Sequence, residues 1–140
     1  MPPIPGDAEI ALQRFRRVAV VGISDRPERP SHYVARYLLD AGFDVVPVNP
    51  ALATVLDRPC YPDLRSIPTA VEIVDVFRRS ALVPPVVDEA IAVGAKVIWM
   101  QDGVVHEEAA AKARAAGLLV VMDRCMLRDH QALVRGGPPS

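Results

Sequence analysis

Apolar positions recur along this chain in a fixed order: a short unbroken run, a polar loop, a stretch with helical spacing, then another run. Residues 7–16 read as a short opening helix. Asp7 is its expected N-cap, and Ile10, Leu12 and Phe15 give an imperfect apolar stripe. Val18–Val21 is a continuous apolar run ended by Gly22, the pattern of a strand buried on both faces. The loop Ser24–Pro30 is polar and broken by proline. Ser31 can cap a helix to Asp40 with Val34, Tyr37, Leu38 and Ala41 on one face, and Gly42 closes it.

The same unit recurs. Val45–Val48 reads as a second strand, stopped by Asn49-Pro50. Residues 51–68 are irregular, with one helical turn expected near Asp63–Ser66. Val71–Val76 is the third strand. A helix follows from Pro84 or Pro85, where proline is tolerated in a first turn, to Val93. Lys96–Met100 is the fourth strand, Glu107–Ala116 a helix capped by Gly117, and Leu118–Met122 the fifth strand. A last helix covers about 126–134, and the first six and last five residues are expected to be loose.

Strands alternating with helices predict an α/β fold: a doubly wound parallel sheet with helices on both faces. Five strands are expected, with order 3-2-1-4-5 as the simplest right-handed winding. No internal repeat or long linker divides the chain, so residues 1–140 read as one domain.

Composition supports this picture. Val supplies 21 residues and Ala 19, against seven aromatics, which suits buried strands under closely packed helices. Few aromatics leave few stacking platforms for single-stranded nucleic acid. A net charge of −1 gives no global field to attract nucleic acid or a membrane surface. Cys60 and Cys125 form no disulfide framework, and no Cys/His cluster suggests zinc. Without an apolar span or a signal-peptide pattern, the expected compartment is the cytoplasm.

In such a sheet, ligands bind beyond the carboxyl ends of the strands, near the switch in winding direction. Those ends carry Gly22 to Pro27, Asn49-Pro50, Phe77-Arg78-Arg79, Gln101-Asp102-Gly103 and Asp123-Arg124-Cys125. Arg26, Arg78, Arg79 and Arg124 gather there although the chain is nearly neutral, which points to an anionic ligand. The helix start near Ser31 and His32 would help to hold it. Arg78 is directed at the crevice on this reading, while Phe77 could be core or ligand wall. Trp99 and Met100 alternate across a strand, so one of them should pack into the core.

A dinucleotide fingerprint is absent, because positions 23–27 contain no second glycine. Asn49 stands where an NAD-binding domain places its ribose-gripping acid, which fits NADP or another ribose phosphate better. The paired acids of a receiver domain are missing too. No nucleophile and base are evident together, so no catalytic residue is assigned. Arg124 could favour a thiolate at Cys125, and a buried structural cysteine is the plainer alternative.

The segments "VAVVGISDRPERPSHYVARYL", "PVNP", "VDVFRRS", "GAKVIWMQDGV" and "VVMDRCM" together resemble the YccU-like family of small CoA-binding proteins. The resemblance covers about residues 10–135, in the same order and spacing. It implies a Rossmann-like CoA-binding domain, similar to that of the succinyl-CoA ligase alpha subunit, without the ligase modules. It assigns the CoA diphosphate to Gly22, Ile23, Ser24, Arg26, Pro27, Ser31 and His32, and the adenosine to the vicinity of Asn49 and Pro50. It implies that Phe77 and Arg78 line the crevice, that Met100, Gln101, Asp102 and Gly103 form a CoA-contacting segment, and that Arg124 and Cys125 belong to a last motif. The expected cofactor is coenzyme A or an acyl-CoA. The alternatives are an NADP-linked oxidoreductase or redox sensor, and a non-catalytic partner subunit of an acyl-CoA ligase.

Overall fold

The computed structural model describes residues 5–136. Helix α1 (Gly6–Arg14) leads into β1 (Arg17–Val21), α2 (Pro30–Asp40) and β2 (Asp44–Val48). A small hairpin follows, β3 (Thr54–Val55) and β4 (Arg58–Pro59), then β5 (Ile73–Val76). A 3-10 turn at Ser80–Leu82 opens α3 (Val83–Ala92), and β6 (Val97–Met100), α4 (Glu107–Ala115), β7 (Leu119–Val121) and α5 (Met126–Arg135) complete the chain.

The five long strands form one parallel sheet, in the order β2-β1-β5-β6-β7. Side chains alternate across it into two cores. Ala19, Val21, Val74, Val76, Ile98 and Met100 face α3 and α4. Val18, Val20, Ile73, Val97 and Trp99 face α1, α2 and α5. The fold class is therefore the expected Rossmann-like doubly wound sheet. Ala109, Ala110 and Ala113 let α4 lie close on its face. Trp99 and Met100 are both fully buried, correcting the expectation that only one is. A sheet covered on both faces leaves neither side of a central strand in water.

The strand order differs from expectation. In terms of the five long strands it is 2-1-3-4-5, not 3-2-1-4-5. The third strand, β5, returns past β1 and makes β2 an edge strand. Pro47 supplies a physical reason. It sits opposite Val20 in β2, and its carbonyl accepts the Tyr61 N–H at 3.0 Å on the outer side. A residue's N–H and C=O point the same way in a strand, so the missing N–H also falls on the outer side. Between two strands it would have removed a ladder bond. The start of β5 is pinned to β1 by Glu72, whose carboxylate accepts the Arg16 and Arg17 N–H groups at 3.0 Å each.

Local boundaries differ where proline or backbone geometry overrides the expected caps. Pro5 is the N-cap of α1, and Asp7 lies in its first turn. Arg29 caps α2 and Pro30 occupies its first turn, where a fixed φ suits the helix. Ser31 therefore lies inside the helix. The region near Asp63–Ser66 is a turn held by Asp63 Oδ1, which accepts the Ser66 N–H at 2.8 Å and hydroxyl at 2.7 Å. The β3–β4 hairpin was not expected; it turns on Leu56 and Asp57, with φ of 54° and 59°. Of the termini expected to be loose, Pro5, Gly6 and Gly136 cap or open helices, and residues 1–4 and 137–140 lie outside the described residues. Among the described residues, no helix is long and apolar enough to cross a membrane.

Candidate functional site

The winding switches between β1 and β5. After β1 the chain crosses by α2 on one face, and after β5 by α3 on the other, so a crevice opens above the two strand ends. Gly22 forms its floor. Its φ is +88°, and a Cβ there would stand 2.9 Å from the Phe77 carbonyl oxygen and 3.2 Å from Arg78 Cγ. Glycine is thus required by the approach of the two strand ends, before any ligand is considered.

The loop after Gly22 is held from three sides. Asn49 Nδ2 donates to the Ile23 carbonyl at 2.8 Å, and its Oδ1 accepts the Ala51 N–H at 2.8 Å. Ser31 Oγ accepts the Ser24 N–H at 2.9 Å. Ser24 Oγ accepts the Arg26 N–H at 3.1 Å. His32 Nδ1 lies 3.0 Å from the Ser24 carbonyl. A carbonyl only accepts, so that bond places the ring proton on Nδ1. Asn49, Ser31 and His32 therefore shape the loop.

Three neighbouring clefts border the crevice. The arginine cleft, about 360 Å³, is lined by Gly22, Ser24, Arg26, Arg29, Pro30, Ser31 and Phe77. Sharing Pro30 and Phe77 with it, an inner cleft of about 240 Å³ adds Tyr33, Val34, Arg78, Gln101, Asp102, Val104, Cys125 and Arg128. Arg78 also borders a third cleft of about 180 Å³ on the α3 side, with Val21, Val48, Pro62, Asp63, Leu82, Pro85, Val86 and Glu89.

The sequence-predicted residues divide accordingly. Gly22, Ser24, Arg26, Ser31, Phe77, Arg78, Gln101, Asp102 and Cys125 line the first two clefts. Ile23 and Met100 are fully buried in the two cores. Pro27 and Pro50 are exposed in the neighbouring loops. Gly103 donates its N–H to Asp123 Oδ1 at 2.7 Å. Arg124 is engaged elsewhere: its Nε and Nη2 donate to the buried carboxylate of Asp129 at 2.7 and 2.9 Å. Cys125 is the N-cap of α5, and Gln101 Oε1 accepts the Met126 N–H at 3.0 Å.

Sequence reading missed Arg29, Tyr33 and Arg128. Arg29 stands next to Pro30 at the helix start, a signal present in the sequence. Arg128 donates twice to Asp102, at 2.7 Å each, across the mouth of the inner cleft. It also missed Asp75. That carboxyl is fully buried in β5 with neither oxygen hydrogen-bonded, and burial pushes its pKa well above the usual carboxylate range.

The family model described as "CoA binding domain" matches residues 16–131. The chain belongs to that family. YneT of Bacillus subtilis, an uncharacterized protein, is 43% identical over 128 residues, spanning 90% of this chain and 95% of that protein. A hypothetical protein from Pyrococcus horikoshii OT3 has a solved structure with a TM-score of 0.89 at 43% identity, over 96% of this chain and 97% of its own. The ADP-forming acetate–CoA ligase I of Archaeoglobus fulgidus is 26% identical over 119 residues, which are 78% of this chain and 17% of the ligase. The likeness to the ligase thus spans most of this CoA-binding domain chain and a small part of the larger enzyme.

Proposed function

We propose that this protein binds coenzyme A, free or acylated, as a stand-alone module. The observation that carries the reading is one crevice, cationic at one end and mixed in polarity along the rest, at the winding switch of a CoA-binding domain. The diphosphate lies in the arginine cleft, against Arg26, Arg29 and the first turn of α2. Guanidinium forks and a helix N-terminus both favour phosphate there. The pantetheine arm follows through the inner cleft, where Phe77, Val34 and Val104 suit its methylenes. Gln101 and the Arg128–Asp102 pair suit its amides. The adenosine lies on the other side, toward Asn49 and Pro50.

Calorimetry with CoA, acetyl-CoA, NADP and NAD tests this reading. CoA and acetyl-CoA are expected to bind, and binding to the folded state raises stability by roughly 2.7 kcal/mol at a hundredfold excess over Kd. Binding of NADP without any CoA species would overturn it in favour of a nicotinamide-linked protein.

A further inference from the structure

The inner cleft holds a protein thiol that the binding reading leaves unused. Cys125 is buried, caps the start of α5 and lines the cleft. Gln101 stands beside it. That side chain is 3% exposed, and its Oε1 accepts the N–H of Met126, the residue after Cys125, at 3.0 Å. Only the oxygen of an amide can accept, so this bond fixes which way the Gln101 amide is turned. Its Nε2 is left without a hydrogen-bond partner among the described residues, in a side chain that lines the same cleft. A buried donor of this kind calls for an acceptor on a ligand.

We infer that Cys125 captures the thiol end of the ligand as a mixed disulfide, by exchange with a CoA disulfide. This rests on the CoA reading and adds a redox-dependent way of retaining the ligand at the same site. The pantetheine arm ends in an amide, a short ethylene link and the sulfur. With Gln101 Nε2 donating to the carbonyl of that last amide, the sulfur comes to the start of α5, where Cys125 stands. The CoA disulfide is itself the oxidant. The Cys125 thiol gives up its proton, and its sulfur attacks one sulfur of the CoA disulfide. That S–S bond breaks, a Cys125–CoA disulfide forms, and the second CoA leaves as a thiolate that takes up a proton.

The surroundings favour the exchange. The cleft wall carries Arg78 and Arg128 against one carboxylate, Asp102. The start of α5 adds the positive end of a helix dipole, with no side-chain cap over it. Both stabilise the negative charge that the sulfurs share during the exchange. Cys60 is placed differently. It lies outside the inner cleft, its Sγ donates to the Asn49 carbonyl at 3.6 Å, and burial pushes its thiol pKa up.

The test incubates the purified, reduced chain with CoA disulfide and follows intact mass and peptide maps, with calorimetry of reduced CoA alongside. One CoA per chain is expected, mapped to Cys125 and removed by reductant. It should form at least about tenfold faster than the adduct from oxidised glutathione, because binding holds the reacting sulfur beside the thiol. Cys60→Ser is expected to keep the adduct and Cys125→Ser to lose it. Binding of reduced CoA with no adduct at Cys125, or equal rates with CoA disulfide and oxidised glutathione, would overturn the capture while leaving CoA binding intact. Failure of reduced CoA to bind and of the adduct to form would overturn the CoA reading and the capture together.

Discussion

Gly22 and Phe77 meet backbone to backbone: a Cβ on Gly22 would stand 2.9 Å from the Phe77 carbonyl oxygen. That contact joins the ends of the two strands between which the winding reverses, at the floor of the crevice. Gly22→Ala must place a side chain at a φ of +88° and displace the Phe77 backbone. A cost of about 1–3 kcal/mol is expected from the conformation alone. Urea denaturation measures it, and a midpoint equal to that of the wild type would refute the contact. Any loss of ligand affinity in this variant has to be read together with its stability.

Asp75 is expected to be a liability to the fold. Its carboxyl lies at mid-strand between Val20 and Trp99, fully buried and unpartnered. Asp75→Val removes two orphaned oxygens and keeps a side chain suited to a strand. A gain of about 1–3 kcal/mol at neutral pH is expected. The pH dependence follows from the raised pKa. The folded state keeps the proton after the unfolded chain releases it near pH 4, so this contribution to stability declines as pH rises above about 4. Melting curves of both proteins from pH 4 to 8 should diverge toward neutral pH. Parallel curves would show that the carboxyl is ionised or partnered.

Arg124 and Arg29 are both arginines near helix starts, yet different effects are expected. Arg124 neutralises Asp129, which is 5% exposed. Arg124→Ala strands that charge, and a loss of about 1.5–3 kcal/mol in stability is expected. Arg29 is exposed and lines the arginine cleft. Arg29→Ala is expected to change stability by less than about 0.5 kcal/mol and to weaken CoA binding, more at low salt than at high. Thermal melts with titrations at two salt concentrations separate the roles. A stable Arg124→Ala protein with lost affinity would reverse them.

These arginines also mark the limit of reading the chain without its fold. Strand runs such as Val18–Val21 and Val97–Met100 were visible because burial on both faces leaves unbroken apolar sequence. Pro47 carried the information that β2 is an edge strand, but only against a known ladder direction. Leu56 and Asp57 turn the β3–β4 hairpin with no glycine to announce it. At the site, Arg26 and Arg78 were identifiable from their positions at strand ends. Arg124 occupies an equivalent position, and only the burial of Asp129 diverts it. Val48, Pro62 and Glu89 lie far apart in sequence and meet only because β5 returns past β1.

His130 opposes the trend set by Asp75. Its Nδ1 lies 2.7 Å from the Tyr37 hydroxyl, and its ring meets Phe43 edge-on at 5.4 Å. Burial pushes the Tyr37 hydroxyl pKa up, so it stays protonated as a hydrogen-bond partner of the neutral ring. Burial, with the nearby Arg16 cation adding to it, pushes the His130 pKa down. As pH falls through about 6.5 the unfolded chain gains a proton that folded His130 resists. The stability from this residue is therefore complete above that value and is lost as pH falls toward the depressed folded pKa. His130→Phe removes the titration, so the melting temperature of the wild type relative to the variant should fall between about pH 7 and 5. Two-dimensional NMR of the imidazole resonances checks the cause directly. A His130 midpoint at or above about 6.5 would remove the basis for the prediction.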